Sequence, residues 1–363
     1  MTEPLDIAPA EEPDVPAVTT EAAPEPPVAP GTPPLAIETF ELTKRFGRHT
    51  LAVDAVDLAV EPGQLFGLVG PDGAGKSTLI RMLATVLRPT AGDANIFGES
   101  VRHHPAAIKP RVGYMSQRFS LYPDLTVAEN LRFFAELRGV PRDQMRSRAD
   151  RLLEFSDLTR FSTRQAQYLS GGMKQKLALA VTLMHEPDLL FLDEPTTGVD
   201  PVSRREFWRI IADLHARGIT VFVATPYMDE AERCDRIAFM DGGRILLEDT
   251  PPGLKARVPG RLVEIESASE RAALDAVRDL PGVHSALVHG DLVRALVADD
   301  GPDPAALADA VSSAGIAGAS ARFGRVDMEA AFAYLAEEAR ASASIAEEPA
   351  AASDSWSESE ADL

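Results

Sequence analysis

The chain has few of the residues that would indicate a disulfide-linked or membrane-spanning protein. Its 363 residues include one cysteine, Cys234, which excludes an intrachain disulfide and a metal site built from cysteines. No apolar run approaches the roughly 20 residues of a membrane-spanning helix. The first residues lack the basic and apolar segments of a signal peptide. We therefore expect a soluble protein of a reducing, cytoplasmic compartment, in which Cys234 serves packing.

Positive charge is missing from both ends of the chain. Residues 1–35 contain seven acids and residues 341–363 contain six, and neither segment has a Lys or Arg. The formal net charge is −20, so the middle of the chain carries only −7. This acidic balance argues against nucleic acid as the main partner. Both ends are rich in Ala, Pro, Ser and Glu, so we predict that they are disordered, with an acidic partner-binding tail as the alternative.

Short apolar runs alternate with helical patterns between the two ends. The strand-like runs are residues 64–70, 189–192 and 220–223. Residues 77–87 have helical apolar spacing that stops at Pro89. This alternation predicts an α/β fold with a mostly parallel sheet and helices on both faces. Residues 35–60 fit an antiparallel β flank, and residues 125–161 fit an inserted helical subdomain.

A change of composition near Pro251 predicts a second, smaller region. From Arg261 the expected elements are strand, helix, strand, strand, helix, strand and a final helix, which begins with the βαββαβ order of a ferredoxin-like α+β domain. The region has no cluster of catalytic residue types, so packing or interaction is its plainest role. The predicted organisation is a tail at 1–35, a main domain at 36–250 with its helical subdomain at about 118–167, a linker at 251–260, an accessory domain at 261–340 and a tail at 341–363.

Residues 70–78 read GPDGAGKST and fit the phosphate-binding P-loop, G-x-x-x-x-G-K-[ST]. A strand-like run precedes the motif and a helical pattern follows it, as the motif requires. Its glycines let the backbone approach a phosphate, and the helix N-terminus faces the anion. Lys76 would place its charge on the β and γ phosphates, and the Ser77 hydroxyl would bind Mg²⁺. The predicted phosphate-binding residues are Gly70, Pro71, Asp72, Gly73, Ala74, Gly75, Lys76, Ser77 and Thr78.

Two adjacent acids follow an apolar run in LLFLDEP, residues 189–195. They would emerge at the carboxyl end of a strand, where open α/β sheets bind their ligands. Asp193 would then hold Mg²⁺, and Glu194 would orient or deprotonate the attacking water. Alone, the pair fits a solvated strand end equally well, but together with the P-loop the catalytic interpretation is favoured.

A second anion-binding pattern occurs in LSGGMKQKL, residues 169–177. Ser170, Gly171 and Gly172 precede an amphipathic helix that we expect from Lys174 onward, so their N–H groups and a hydroxyl could face an anion. An ordinary serine-capped helix is the alternative. One nucleotide needs only one such anion-binding site, unless two chains face each other and bind it from opposite sides.

In this order, the three motifs resemble those of the ATP-binding subunits of ABC transporters, and the resemblance covers about residues 37–248. It implies a P-loop NTPase core in which each ATP lies between Lys76 of one chain and the Ser-Gly-Gly turn of a second. It further implies that Gln117 of YMSQ contacts Mg²⁺ and senses a membrane partner, and that Asp200 of GVD lies at the dimer seam. Phe46 of LTKRF would stack on adenine. Glu194, Lys76 and Gln117 are thus the implied catalytic residues, and Ser77, Gln117 and Asp193 the implied metal ligands.

The stretches TTGVDP and MDEAER, with the accessory domain, are most similar to the ABC-2, drug-exporter branch. That branch implies an ATPase that uses ATP and Mg²⁺ to power export. Its partners would be a separate ABC-2-type permease and a second cassette, identical or different, on the cytoplasmic side of the membrane. Phe119, Leu121 and Tyr122 are candidates for the permease contact, or simply core. Non-transport relatives that act on DNA or ribosomes would need a long coiled-coil insertion, whereas about fifty residues separate Gln117 from Ser170.

One position departs from the family pattern. The switch histidine of the family aligns with Pro226, which has no side-chain donor and no backbone N–H. Losing one preorganised donor commonly costs about 10²–10³-fold in rate. Two hypotheses follow: slow hydrolysis that relies on Glu194, or service as a weakly active or non-hydrolysing clamp beside a different cassette that has the histidine.

Overall fold

The computed structural model describes residues 34–117 and 121–347, and this part of the chain contains three β-sheets. The strands of the first sheet are β1 (Ile37–Phe46), β2 (Thr50–Val60), β4 (Ala91–Ile96) and β5 (Glu99–Ser100). Its order is β2-β1-β4-β5, and every neighbouring pair is antiparallel. It is the antiparallel flank that the sequence predicts.

The second sheet supplies the edge at which the motif loops meet. Its strands are β3 (Leu65–Val69), β6 (Val112–Met115), β7 (Leu189–Asp193), β8 (Thr220–Thr225), β9 (Arg236–Asp241) and β10 (Arg244–Asp249). The order is β10-β9-β3-β8-β7-β6, parallel except for β10. Val69 pairs with Thr225 and Asp193 with Ala224, so β3, β7 and β8 end at the same edge.

Burial on both faces explains the continuous apolar runs of these strands. Phe66, Phe191 and Phe222 are fully buried, with ring centroids 5.3 Å apart for Phe66 and Phe222 and 5.7 Å apart for Phe191 and Phe222. Burying one such side chain contributes about 1.5–3 kcal/mol. Leu65 and Val69 of β3 pack on the opposite face, against other helices.

Eight α-helices precede the third sheet in the described part of the chain. They are α1 (Lys76–Leu83), α2 (Pro105–Ile108), α3 (Val127–Leu137), α4 (Arg142–Phe155), α5 (Gly171–Thr182), α6 (Pro201–Ala216), α7 (Met228–Ala231) and α8 (Pro251–Arg257). Helix α1 packs with Phe66 on one face of the second sheet, and α5 and α6 pack with Leu65 on the other.

Polar contacts hold the loop that enters the helical subdomain. Thr126 caps α3 in a capping box with Glu129. Asn130, fully buried, donates through Nδ2 to the carbonyls of Tyr122, Leu125 and Thr126, and its Oδ1 accepts from Tyr122 N. The segment that leads into α3 is therefore held in place by hydrogen bonds to a buried side chain.

The C-terminal elements form a third, fully antiparallel sheet. They are β11 (Arg261–Glu266), α9 (Glu270–Val277), β12 (Val283–His289), β13 (Leu292–Val297), α10 (Pro304–Ser313), β14 (Ser320–Phe323) and α11 (Met328–Glu347). The strand order is β12-β13-β11-β14, and α9 and α10 enclose its core. Helix α11 packs instead on the second sheet, where the rings of Phe332 and Phe239 lie 4.3 Å apart.

Several boundaries differ from the sequence-based expectation. Helix α1 ends at Leu83, and Thr85 has a left-handed φ of 58°, so the helical pattern does not continue to 87. Helix α5 begins at Gly171 rather than near Lys174. Residues 251–260, expected as a linker, contain α8, which is capped by the Thr250 hydroxyl. These differences arise from caps and tertiary packing, which apolar periodicity does not report.

The predicted tails are only partly covered by the structure. Helix α11 extends to Glu347 and therefore includes 341–347, which the composition predicted to be disordered. The rest of both tails, 1–33 and 348–363, lies outside the described residues, as does Phe119. Of the helices that are described, none combines the length and the apolar character needed to cross a membrane.

Candidate active site

The loop between β3 and α1 depends on its glycines. Gly73 and Gly75 have φ of 80° and 107°, in the left-handed region that favours glycine. A Cβ on Gly75 would lie 2.2 Å from the carbonyl oxygen of Ala52, and a Cβ on Gly70 would lie 2.1 Å from that of Met240. Neither backbone oxygen can give way cheaply, so both positions require glycine.

Lys76 directs its charge into this loop. The side chain is only 3% exposed, and Nζ donates to the carbonyl oxygens of Gly70 at 2.8 Å and Pro71 at 2.9 Å. The same Nζ lies 3.7 Å from Oε1 of Glu194. A buried ammonium in this position can exchange carbonyl contacts for the oxygens of a phosphate.

Ser77 and Asp193 form a second contact at the same edge. The Ser77 hydroxyl donates to Oδ1 of Asp193 at 2.7 Å. Asp193 is fully buried, and its Oδ2 has no hydrogen-bond partner within residues 34–117 and 121–347. Burial raises the pKa of the Asp193 carboxyl, whereas the Ser77 hydrogen bond and the charge of Arg81 lower it. An unpartnered carboxylate oxygen beside a hydroxyl matches the oxygen ligands that Mg²⁺ prefers.

Glu194 is held by three side chains. Gln117 Nε2 donates to Oε2 at 2.8 Å, Thr197 Oγ1 donates to the same oxygen at 3.3 Å, and Lys76 faces Oε1. The backbone of Glu194 has a φ of 50°, unusual for a residue other than glycine, and its N–H donates to the carbonyl of Ala224 in β8. Such strain persists only where the surroundings impose it, and it is common at functional sites.

The Ser-Gly-Gly turn combines a cap with an accessible backbone. Ser170 caps α5 by accepting from Met173 N at 3.3 Å, so the serine-capped helix is present. Ser170 and Gly171 are exposed, and a Cβ on Gly171 would meet nothing within 4 Å. A Cβ on Gly172 would lie 2.4 Å from Cβ of Ser203, so this glycine permits α5 to approach α6 closely.

A groove of about 350 Å³ lies beside this turn. Its lining includes Gln117, Leu121, Gly171 and Lys174. Leu121 packs against the core of the helical subdomain. Tyr122 is 45% exposed, and its ring centroid lies 4.5 Å from that of Phe133. Of the residues proposed for a partner contact, Leu121 is thus partly core and Tyr122 is available at the surface.

Phe46 and Asp200 lie in separate elements, at the end of β1 and at the N-cap of α6. Phe46 ends β1, is 45% exposed, and has Lys44 Nζ at 5.3 Å from its ring centroid, which leaves ring surface for a planar group. Oδ1 of Asp200 accepts from the backbone N–H groups of Val202 and Ser203 at 3.1 and 3.0 Å. These bonds, that of Ser203 most, hold the pKa of Asp200 below its ordinary value.

The structure also contains a buried acid that the sequence analysis did not single out. Glu230 is fully buried; its Oε1 accepts from Thr196 Oγ1 and its Oε2 from Thr225 Oγ1, both at 2.5 Å. Arg204 Nε lies 3.7 Å from Oε1. Glu230 therefore ties the segment after Glu194 to the end of β8. The sequence offered one signal for its burial: Glu230 precedes Ala231 and stands four residues before Cys234, a helical spacing that puts it on the same side as the cysteine. In the structure this is the buried side of α7.

Pro226 directly follows Thr225, one of the two threonines that donate hydrogen bonds to Glu230. Tyr227 N donates to Thr225 Oγ1 at 3.1 Å, which turns the chain at the proline. In the portion of the chain that the structure covers, no histidine forms a hydrogen bond or ion pair with Glu194. Cys234 is buried in the core beneath, and burial raises the pKa of its thiol, in keeping with a packing role.

One chain brings together only part of the predicted site. The side chains that meet at the edge of the second sheet are Lys76, Ser77, Gln117, Asp193 and Glu194. Among the described residues, no hydrogen bond or ion pair links Ser170, Phe46 or Asp200 to this cluster. These three lie elsewhere in the same chain.

Comparisons with known proteins agree with this geometry. The family model described as ABC transporter matches residues 53–197. The chain is 43% identical over 256 residues to the "Probable multidrug ABC transporter ATP-binding protein YbhF" of Escherichia coli strain K12, a match that covers 70% of this chain but only 44% of that protein. It is 40% identical over 260 residues to the daunorubicin/doxorubicin resistance ATP-binding protein DrrA of Streptomyces peucetius, covering 71% of this chain and 78% of that protein.

A solved structure gives the same answer for the fold. The dimeric, post-hydrolysis state of the ATP-binding cassette MJ0796, bound to ADP and Pi, superposes with a TM-score of 0.55 at 26% identity. The match covers 59% of this chain and 98% of that one. The resemblance inferred from the three motifs is therefore confirmed, as is the P-loop NTPase fold. The chain belongs to the ABC transporter family, as one of its ATP-binding cassettes.

Proposed function

We propose that this chain binds ATP with Mg²⁺ and hydrolyses it to power export through a separate ABC-2-type permease. The observation that carries the proposal is the cluster at the edge of the second sheet. There the buried ammonium of Lys76 forms an ion pair with Glu194, and their chain neighbours Ser77 and Asp193 are joined by a hydrogen bond. These are the groups that phosphoryl transfer uses to hold phosphates and a metal ion and to position the nucleophile.

Each group has a role in that reaction. Lys76 would neutralise the β and γ phosphates, replacing its bonds to the loop carbonyls. Ser77, Asp193 and Gln117 would hold Mg²⁺, which offsets the charge that develops on the phosphates when it is bound. Glu194, fixed by Gln117 and Thr197, would orient the attacking water and accept its proton.

A second cassette would complete the site. Ser170 and Gly171 are exposed, the backbone of Gly171 is open to an approaching ligand, and neither contacts the P-loop cluster of its own chain. Head-to-tail pairing would bring them to the phosphates held by Lys76 of the other chain, with Asp200 at the seam and Phe46 on adenine. The similar cassette MJ0796 is a dimer in its solved structure, which supports pairing of this kind.

The proposed role in export and the proposed location at the membrane rest on the relatives of this chain rather than on its own structure. YbhF is named a multidrug transporter protein and DrrA a drug-resistance protein. By analogy, the groove beside Gln117 and the exposed Tyr122 would receive the permease on the cytoplasmic side of the membrane. We propose that 36–250 is the cassette, and that 261–340 is a ferredoxin-like accessory domain that supports pairing or regulation.

Pro226 favours a second, narrower candidate. Without a switch histidine, the chain would turn over slowly, or would serve as the less active cassette of a heterodimer and lend its Ser-Gly-Gly turn to the partner's site. Retention of Lys76 and Glu194 favours a weakened enzyme over an inert one.

The test is Glu194→Gln in the full chain. The variant should bind ATP at parental affinity, lose most phosphate release in a single-turnover assay, and accumulate as an ATP-bound pair in light scattering. Glu61→Gln, which changes an exposed carboxyl between β2 and β3, is the matched control and should behave as the parent. The proposal would be refuted if Glu194→Gln turned over ATP at the parental rate, or if neither the parent nor Glu194→Gln bound ATP.

A further inference from the structure

A cavity separate from the nucleotide cluster lies between α6 and the segment that begins at α7. Its volume is about 280 Å³, far above the roughly 10–15 Å³ that a cavity needs to hold one water molecule. It therefore has room for a small molecule rather than a single solvent molecule. Its lining residues are Pro201, Arg204, Arg205, Trp208, Asp229 and Arg233.

Two of the lining residues contain buried N–H groups without an acceptor. Trp208 is 3% exposed, and its indole Nε1 has no hydrogen-bond partner in the described part of the chain. The same holds for Nε of Arg204, which lies 3.7 Å from a Glu230 oxygen but forms no hydrogen bond to it. Both atoms are enclosed by the protein, so neither donor reaches the open space of the cavity, and a ligand there would contact other groups of the lining.

The charge of the lining points to an anionic ligand. The lining contains three guanidinium groups, those of Arg204, Arg205 and Arg233, and one carboxylate, that of Asp229. Among residues 34–117 and 121–347, neither Arg205 nor Arg233 has an ion-pair partner, although Arg233 lies 5.8 Å from the ring centroid of Trp208. This cationic concavity occurs in a chain whose net charge is −20. Guanidinium groups match the oxygens of phosphate in pairs, which makes arginine the preferred residue for phosphate recognition.

We propose that this cavity binds a phosphate group, held by the guanidinium groups of the three arginines that line it. The phosphate is either free inorganic phosphate or the head of a small phosphomonoester, and both present the same oxygens. A phosphate is favoured over a single carboxylate because the lining supplies three guanidinium groups and one carboxylate has only two oxygens to offer. Binding requires neither ATP nor hydrolysis, so the proposal stands apart from the proposed function.

The position of the cavity gives a bound phosphate a route to the switch segment. The guanidinium of Arg204 lies 3.9 Å from the ring centroid of Tyr227, the residue after Pro226. Arg204 also faces Glu230, which ties Thr196 to Thr225. A phosphate bound by Arg204 would therefore contact a residue that also contacts the switch segment, through Tyr227 and Glu230.

The chain offers a direct probe because its two tryptophans are Trp208 and Trp356. In full-length Trp356→Phe protein, Trp208 is the only source of indole fluorescence. Inorganic phosphate is titrated against potassium chloride at constant ionic strength, and the emission of Trp208 is followed. We expect a saturable change, and we expect it to persist in a Lys76→Ala background, because the P-loop is the other place at which phosphate can bind.

Arginine variants locate the site. Arg205→Gln and Arg233→Gln, both at exposed positions, should each weaken the apparent affinity for phosphate several-fold, and the double variant should lose saturation. Arg209→Gln removes an exposed arginine of the same helix that does not line the cavity, and it should titrate as the parent. Far-UV circular dichroism checks that each variant is folded, and calorimetric titration of the single variants repeats the measurement without fluorescence.

The outcomes separate the possible explanations. Tighter binding of glycerol 3-phosphate than of inorganic phosphate would identify a phosphomonoester head, and equal or weaker binding would identify the free ion. The proposal is overturned by a non-saturable response, by an equal response to acetate, or by a response that Lys76→Ala abolishes and the double arginine variant retains. None of these results alters the expected ATP binding at the P-loop, so the two proposals fail independently.

Discussion

Removing the Glu230 carboxylate should destabilise the chain more than any exposed acid does. Glu230→Ala leaves the hydroxyls of Thr196 and Thr225, each 1% exposed, without an acceptor, and leaves Arg204 without its counter-charge. Hydrogen bonds to a charged group contribute about 1.5–3 kcal/mol each, and removing one partner of a buried ion pair costs about 3–5 kcal/mol. These overlap, so we expect a loss of about 3–5 kcal/mol in the free energy of unfolding.

The conservative variant and a neighbouring acid supply the controls. Glu230→Gln keeps the shape of the side chain and one acceptor and introduces a donor. We therefore expect a smaller loss in the free energy of unfolding, roughly 1–2 kcal/mol, near the cost of a neutral hydrogen bond. Glu232→Ala removes an exposed carboxylate whose ion pair with Lys255 spans 3.0 Å at the surface, and about 0–1 kcal/mol is expected.

Guanidinium chloride unfolding, followed by far-UV circular dichroism, measures all three variants against the parent. The slope of unfolding free energy with denaturant should stay constant, so that differences in midpoint report stability. If Glu230→Ala lies within about 1 kcal/mol of Glu232→Ala, the tie between the segment after Glu194 and the end of β8 does not stabilise the fold, and the reasoning from its burial is wrong.

Three further results are expected. Pro226→His should raise ATP turnover, by up to about 10²-fold if it restores one preorganised donor, while Pro226→Ala should not; equal rates in the two variants, or no rise in Pro226→His, would contradict the account of the switch. The Cys234 thiol, whose pKa burial raises, should resist a disulfide exchange reagent in the folded chain and react after unfolding; rapid reaction of the native chain would contradict its burial. Phe46→Ala should weaken ATP binding by roughly 5- to 150-fold in equilibrium titration, as lost stacking of about 1–3 kcal/mol implies, whereas Phe46→Tyr should bind as the parent; unchanged affinity in Phe46→Ala would exclude stacking.

Local motifs made the nucleotide cluster predictable. The P-loop motif is one continuous segment of nine residues, so the phosphate-binding roles proposed for its glycines, Lys76 and Ser77 follow from the local sequence alone. Asp193 and Glu194 follow a strand whose apolar run is unbroken because both of its faces are covered. Their meeting at one edge needed only the rule that the loops at the carboxyl ends of parallel strands bind ligands.

The other polar contacts could not be read from the sequence, because they depend on which strands become neighbours. Thr196 and Glu230 are 34 residues apart, and they meet only because β8 lies beside β7. The cavity lined by Trp208 and Arg233 likewise requires α6 to lie against the segment after α7. Periodicity reports which side of an element is buried, but it does not report which other element covers that side.

The packing of α11 changes what counts as a complete cassette. Every recognisable motif lies before residue 250, yet the ring of Phe239 in β9 is covered by Phe332, and Ala331 and Leu335 are buried against the same core. A chain shortened after the last motif would keep every residue proposed to bind the nucleotide, and it would expose an apolar surface on the second sheet. Its tendency to self-associate would then rise for reasons unrelated to ATP, so pairing measured on such a fragment would overstate the affinity between intact subunits.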